Sequence, residues 1–103
     1  MSKPDAVFAA LADATRRSML ATLTQRGTAT ATELARELPM SRQAVSKHLG
    51  VLAEAGLVES EPEGRAVRYR PTPAPMSEAV DWMTAIGRQW DARLAALSRS
   101  LER

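Results

Sequence analysis

Residues 32–69 carry two short helical patterns in direct succession and then, with no linker between, two arginine-bearing strand patterns, an order that few folds accommodate. Residues 32–38 place Leu34, Ala35 and Leu38 on one face of a two-turn helix. Pro39 ends it, because proline disfavours helical geometry in the residue before it and cannot donate to the helix ladder. Ser41 supplies a hydroxyl cap for a second helix, in which Val45, Leu49 and Leu52 recur at i, i+4 and i+7 and form one apolar stripe. That stripe lays the second helix against the first. Gly56 stands where a helix C-terminus calls for left-handed geometry, and residues 57–61 and 66–70 read as strands about a turn over residues 62–65.

The face of the second helix opposite its stripe holds Arg42, Gln43, Ser46, Lys47 and Gly50, with no acid and little bulk. Such a face fits a major groove about 12 Å wide, and Arg and Gln match the edges of guanine and adenine. The hairpin carries Arg65, Arg68 and Arg70. Together these patterns predict a mainly α fold with a small β-hairpin wing, a winged helix-turn-helix, with double-stranded DNA as the partner. Ser41, Arg42, Gln43, Ser46 and Lys47 are the candidate DNA-binding residues of this helix, the last four as base readers, and Arg65, Arg68 and Arg70, with Arg26, the candidate phosphate contacts. Of the 14 basic residues 12 are Arg, whose planar fork suits bidentate contact to phosphate and guanine. Net charge is only +2, from 14 basic and 12 acidic residues. The local distribution of charge therefore matters more than the total.

The flanks supply apolar surface beyond what this unit needs. Residues 5–25 read as helix, with Val7, Phe8, Leu11, Met19, Leu20 and Leu23 apolar, a break near Asp13 or Thr15, and a stop at Gly27. Pro71, Pro73 and Pro75 predict a stiff linker that bars any helix until Met76. From there Met76, Val80, Met83, Ile86, Trp90, Leu94, Leu97 and Leu101 step by three and four. Such a stripe must be covered. The expectation is a homodimer through Phe8, Leu11, Met83, Ile86, Gly87, Trp90, Leu94 and Leu97, with Gly87 allowing close approach of two backbones; the alternative is that the helix folds back on its own domain. The 103 residues suit one domain, divided into N-terminal helices (1–26), helix-turn-helix (32–56), wing (57–70) and dimerisation helix (76–102).

Residues 11–17 (Leu-Ala-Asp-Ala-Thr-Arg-Arg), 41–49 (Ser-Arg-Gln-Ala-Val-Ser-Lys-His-Leu) and 51–58 (Val-Leu-Ala-Glu-Ala-Gly-Leu-Val) resemble the ArsR family of bacterial winged-helix repressors. The likeness covers residues 7–70. It implies a homodimer that binds operator DNA, with residues 41–52 as recognition helix and 65–70 as wing. Many members of that family release DNA when a metal binds, through Cys pairs in the first helix of the helix-turn-helix or clustered His and acidic residues on the last helix. This chain has no Cys and one His. Where the Cys-Val-Cys segment of the thiolate sensors would fall it has Thr30-Ala-Thr32. Closed zinc sites draw on Cys and His, and one His cannot build such a site even when a dimer doubles it. The five Met, at 1, 19, 40, 76 and 83, follow no ligand spacing and suit core packing. The resemblance is thus to a metal-independent branch, with no cofactor expected.

Other classes fit poorly. There is no Gly-rich phosphate loop and no Cys nucleophile, and Ser46 and His48, two apart on one helix, point in different directions, so catalysis is not expected. No apolar run approaches the roughly 20 residues that span a membrane, and the N-terminus lacks a signal peptide's apolar core; the expected location is cytoplasmic. Two rivals stay open: a winged-helix module that binds protein, and a sensor of an unidentified apolar effector at Trp82 and Trp90. His48 sits at the border of core and surface, where bonding to a backbone or phosphate group outweighs metal ligation or a pH switch. Arg16 and Arg17 are read as pairing with acids such as Asp13 in preference to reaching phosphates.

Overall fold

Asp13 divides the N-terminal helical stretch in two. In the computed structural model of the chain, which describes residues 3–102, α1 (Lys3–Leu11) stops just before it and α2 (Ala14–Arg26) starts just after. The Asp13 carboxylate accepts from Thr15 N–H at 2.7 Å and Arg16 N–H at 3.2 Å, satisfying donors that the first turn of α2 leaves free. The carbonyls at the end of α1 find partners too, since Arg16 Nε donates to Ala10 O at 2.5 Å and Arg17 Nη1 donates to Leu11 O at 2.6 Å. The two arginines therefore hold the α1–α2 corner, with Arg16 also 3.8 Å from Asp13. Met1, Ser2 and Arg103 lie outside the described residues.

Thr30 opens the helix-turn-helix with a reciprocal cap. Its hydroxyl accepts from Glu33 N–H at 3.1 Å, and the Glu33 carboxylate accepts from Thr30 N–H at 2.8 Å, starting α3 (Ala31–Glu37). Leu38, before Pro39, is extended at φ −111° and ψ 145°, as a residue preceding proline should be. Ser41 Oγ then accepts from Ala44 N–H at 3.1 Å and caps α4 (Arg42–Glu54). That helix ends in a Schellman arrangement. Gly56, at φ 76°, donates to Ala53 O, and Leu57 donates to Leu52 O, each at 2.9 Å. Leu57 and Leu52 are both buried at this corner.

The wing is larger than a hairpin. Strands β2 (Val58–Glu63) and β3 (Ala66–Pro71) meet in a two-residue turn, Gly64-Arg65, narrower than the expected turn over 62–65. Gly64 alone in that turn has positive φ, 62°, a geometry for which glycine is the natural first residue. Pro62 lies inside β2 opposite Val67. The sheet order explains its tolerance there, because β1 (Ala29–Thr30) pairs antiparallel with the far side of β3, leaving β2 at the edge, where a missing N–H does no harm. The two-residue strand β1 has no pattern of its own in the sequence.

The last helix, α5, runs Pro73–Leu101, three residues earlier than the prolines had implied. Pro73 and Pro75 fall in its first turn, where N–H groups have no intrahelical acceptor and proline's fixed φ already suits the helix. Its first half packs on α1, burying Ala79 and setting Trp82 edge-on to Phe8 with ring centroids 5.5 Å apart. Val7, Met19, Leu23, Leu34, Val45, Leu49, Leu52 and Leu57 join Ala79 in one core drawn from α1 to α5 and the start of the sheet. The second half of α5 projects past it. The molecule measures 69 × 25 × 23 Å with a radius of gyration of 18.3 Å, against about 13 Å for a compact chain of this length. No helix among the described residues is long and apolar enough to cross a membrane.

Candidate nucleic-acid interface

The buried stripe of α4, Val45, Leu49 and Leu52, turns the other side of that helix outward. Ser41, Arg42, Gln43, Ser46, Lys47 and Gly50 are all exposed, so the structure brings the sequence-derived set onto one open face. Arg65 stands at the wing tip, also exposed. Among the described residues the side chains of Arg42, Lys47 and Arg65 form no hydrogen bond or ion pair within the chain. Their charge is available to a partner.

The other candidate cations are engaged. Arg68 donates through Nε to Glu63 at 2.9 Å, and through Nη1 to Glu33 and to Thr28 Oγ1, both at 3.2 Å. Arg26 pairs with Glu37 and, at 3.6 Å, with Glu33. Arg70 donates from both Nε and Nη2 to one carboxylate oxygen of Glu59, its register partner across the sheet. Arg26 and Arg68 thus tie the end of α2, the start of α3 and the wing together around Glu33. The Thr30 N–H bond, then Arg68 and Arg26, hold the Glu33 carboxyl below the usual carboxylate range, against a smaller opposing effect of desolvation. Hydrogen bonding to Glu63 fixes the charge of Arg68 still more firmly. The Arg16 N–H bond, followed by that of Thr15, does for Asp13 what Thr30 does for Glu33. These partners were not foreseen, although Thr-x-x-Glu at 30–33 is a capping-box signature visible in the sequence.

Two cavities bear on function, the first of them beside this surface. Between α4 and the wing lies a cleft of about 270 Å3 lined by Thr30, Thr32, Arg42, Ser46, Arg65 and Tyr69 among others. A second, of about 450 Å3, opens between α2 and the start of α5 and is mostly apolar, with Leu20, Leu57, Pro71, Met76 and Val80 in its wall. Neither tryptophan lines it. Trp82 rests on Phe8, and Trp90 is open. His48 is half-buried, with Nδ1 enclosed and without a hydrogen-bond partner among the described residues, so the backbone contact expected of it is not made by that nitrogen. Thr30 and Thr32, at the positions of the family's thiolate ligands, are a helix cap and an exposed side chain. Among the described residues no three His, Cys, Asp or Glu side chains come together as a metal site.

Of the expected dimer residues, Phe8, Leu11, Ile86 and Gly87 are half-buried within the chain, the first two against its own core. Met83, Trp90, Leu94 and Leu97 are 47, 60, 58 and 56% exposed. The fold-back weighed from the sequence is therefore seen for part of helix α5. It folds back over α1 with its first half and presents an uncovered apolar flank with the rest.

Comparison with known proteins gives the same picture. A helix-turn-helix domain model matches residues 11–61. The chain is 37% identical to the HTH-type transcriptional regulator Rv2034 of Mycobacterium tuberculosis, over 96% of this chain and 89% of that protein. It is 30% identical to the arsenical resistance operon repressor of Escherichia coli, over 97% and 86% of the two chains. A solved structure, an ArsR-like transcriptional regulator from Rhodococcus sp. RHA1, superposes with a TM-score of 0.81 at 44% identity, covering 94% of this chain and 91% of that one. With an uncommitted basic helix face beside a wing, and relatives that align along nearly its whole length, the chain belongs to the ArsR family of winged helix-turn-helix transcriptional regulators.

Proposed function

We propose that the protein is a homodimeric repressor that binds an imperfectly palindromic operator without a metal effector. The observation that carries this reading is the α4 face, where Arg42, Gln43, Ser46 and Lys47 are exposed together and the cations among them have no partner among the described residues. Two such helices, related by a dimer axis, enter successive major grooves about 34 Å apart, and the wings reach the flanking backbone. Arg65 is the wing cation free to meet a phosphate. Arg68 and Arg70 already pair with carboxylates that offset their charge, so they contribute less.

The dimer forms through Met83, Trp90, Leu94 and Leu97 of paired α5 helices, with Phe8, Leu11, Ile86 and Gly87 supporting the seam. Bound over a promoter, it excludes polymerase; the E. coli relative named above is a repressor, which supports that direction. The location is cytoplasmic, where the DNA is. Metal independence rests on the donor set, since Thr30 and Thr32 offer hydroxyls in place of thiolates.

Binding to labelled DNA from upstream of the protein's own gene, with and without a chelator or added zinc, tests this reading. Selective binding indifferent to both is expected, and release by zinc would contradict metal independence. A second reading, response to an apolar effector, has the α2–α5 cavity of about 450 Å3 as its support. Under that reading Met76→Trp, which fills the cavity, abolishes effector release while leaving DNA binding in place.

A further inference from the structure

We propose that the cleft between α4 and the wing is a phosphoanion seat, filled by a backbone phosphate when DNA is bound and otherwise open to a free phosphorylated small molecule that competes with DNA. The first occupant rests on the DNA-binding reading above; the second does not.

The lining sets the chemistry. Arg42 and Arg65 are its two cations, and neither has an ion-pair partner among the described residues. Among the described residues the hydroxyls of Thr32, Ser46 and Tyr69 have no hydrogen-bond partner, and no carboxylate lines the space. A tetrahedral oxyanion is the ligand that such a set satisfies, because arginine forks and hydroxyls all donate, and charge-assisted bonds to phosphate oxygens are the strong ones. Arg42 is also the first residue of the 13-residue α4, so the partial positive charge of that helix end acts in the same direction. At about 270 Å3 the cleft holds an anion together with some of its hydration, given a share of about 30 Å3 for each liquid water.

Two acids are tied directly to residues of this lining: Glu33, which caps Thr30, and Glu63, which faces Ala66 in the sheet register. Arg68 holds both, at 3.2 and 2.9 Å. Arg68, outside the lining, offsets one of these two negative charges, and Arg26, 3.6 Å from Glu33, acts on the same cluster. Arg68 acts as a positioning residue for the seat, and Arg42 and Ser46 serve the DNA backbone, leaving Gln43 and Lys47 for base edges.

Pyrophosphate titrated into 15N-labelled protein, with sodium chloride at matched ionic strength as the reference, tests the seat without DNA. Saturable amide shifts confined to Arg42, Ser46 and residues 65–69 are expected. Arg42→Ala combined with Arg65→Ala should weaken binding about tenfold or more, the scale of one lost charge-assisted pair. Arg68→Gln should weaken it although the fold is kept, and Arg93→Ala on α5 should not. Shifts that follow ionic strength alone, or survive in the double variant, overturn the proposal. Operator DNA separates the sources. Displacement by pyrophosphate beyond that by chloride supports a shared seat, and simultaneous binding of both contradicts it. If DNA binds but pyrophosphate does not, the seat fails and the DNA reading stands; if pyrophosphate binds but DNA does not, the free-anion site stands alone.

Discussion

Glu33 accepts from the Thr30 N–H and from Arg68 and forms an ion pair with Arg26, and so joins a helix cap to the wing and to the end of α2. Its carboxyl and that of Asp13 are both held below the ordinary range. Around pH 4 the unfolded chain therefore binds more protons than the folded one, and stability rises with pH there. The contribution is fully present above the ordinary carboxylate values and is lost as pH falls through the lowered ones. Urea midpoints should accordingly drop between pH 5 and pH 3 on the order of the carboxylate titration, and Asp13→Asn with Glu33→Gln should flatten that dependence; an unchanged slope would contradict it. Thr30→Ala, which removes the hydroxyl half of the cap, should cost about 1 kcal/mol by denaturant titration. On the DNA side, Lys47→Ala should cost on the order of 1–3 kcal/mol on operator DNA and much less on unrelated DNA. The α4 face was legible residue by residue because helical periodicity alone sorts it from the stripe. The state of Arg68 was not, since its partners Glu33 and Thr28 lie 35 and 40 residues away and only the β1–β3 pairing brings them together.

Element boundaries followed local chemistry where that chemistry was unambiguous. Ser41 and Gly56 mark the ends of α4, and Asp13 the start of α2, as their side chains or lack of one demand. Proline was the difficulty. It is excluded from helix interiors but favoured in first turns, and it is harmful in central strands but tolerated at edges, so Pro73 and Pro62 could be placed only once the helix start and the strand order were known. Gly56 provides a test at this scale. Its φ is 76°, and a Cβ there would come within 3.2 Å of Pro75 Cγ at the start of α5, whereas Gly64, at φ 62°, has open space around the same position. Gly64→Ala should cost about 1–2 kcal/mol from left-handed strain alone. Gly56→Ala should cost more, since the α4–β2 corner and α5 must also part. Thermal melts of the two variants check the ordering, and an equal loss would remove the claimed contact between corner and helix.

The whole molecule is shaped by one helix. Twenty-nine residues of α5 extend about 43 Å at 1.5 Å per residue, and the core ends partway along it. Leu94, Leu97 and Leu101 are 58, 56 and 77% exposed. Exposed apolar stripes of this length mark association surfaces. Leu94→Glu with Leu97→Glu should therefore give a protein of unchanged helical content that sediments as a monomer, while the parent sediments as a dimer at micromolar concentration. Because the two half-sites are then no longer held together, the variant should also bind operator DNA far more weakly. A parent that is itself monomeric would refute the dimer outright.

The most direct test of the account is the salt dependence of DNA binding by the parent protein and Arg65→Ala, measured by fluorescence anisotropy on the DNA upstream of the gene. Binding should fall linearly on a log–log plot, and losing one wing contact from each subunit should flatten the slope by about 2, because each neutralised phosphate contributes roughly 0.9. Salt-indifferent binding, or an identical slope in the variant, would contradict the placement of DNA across α4 and the wing.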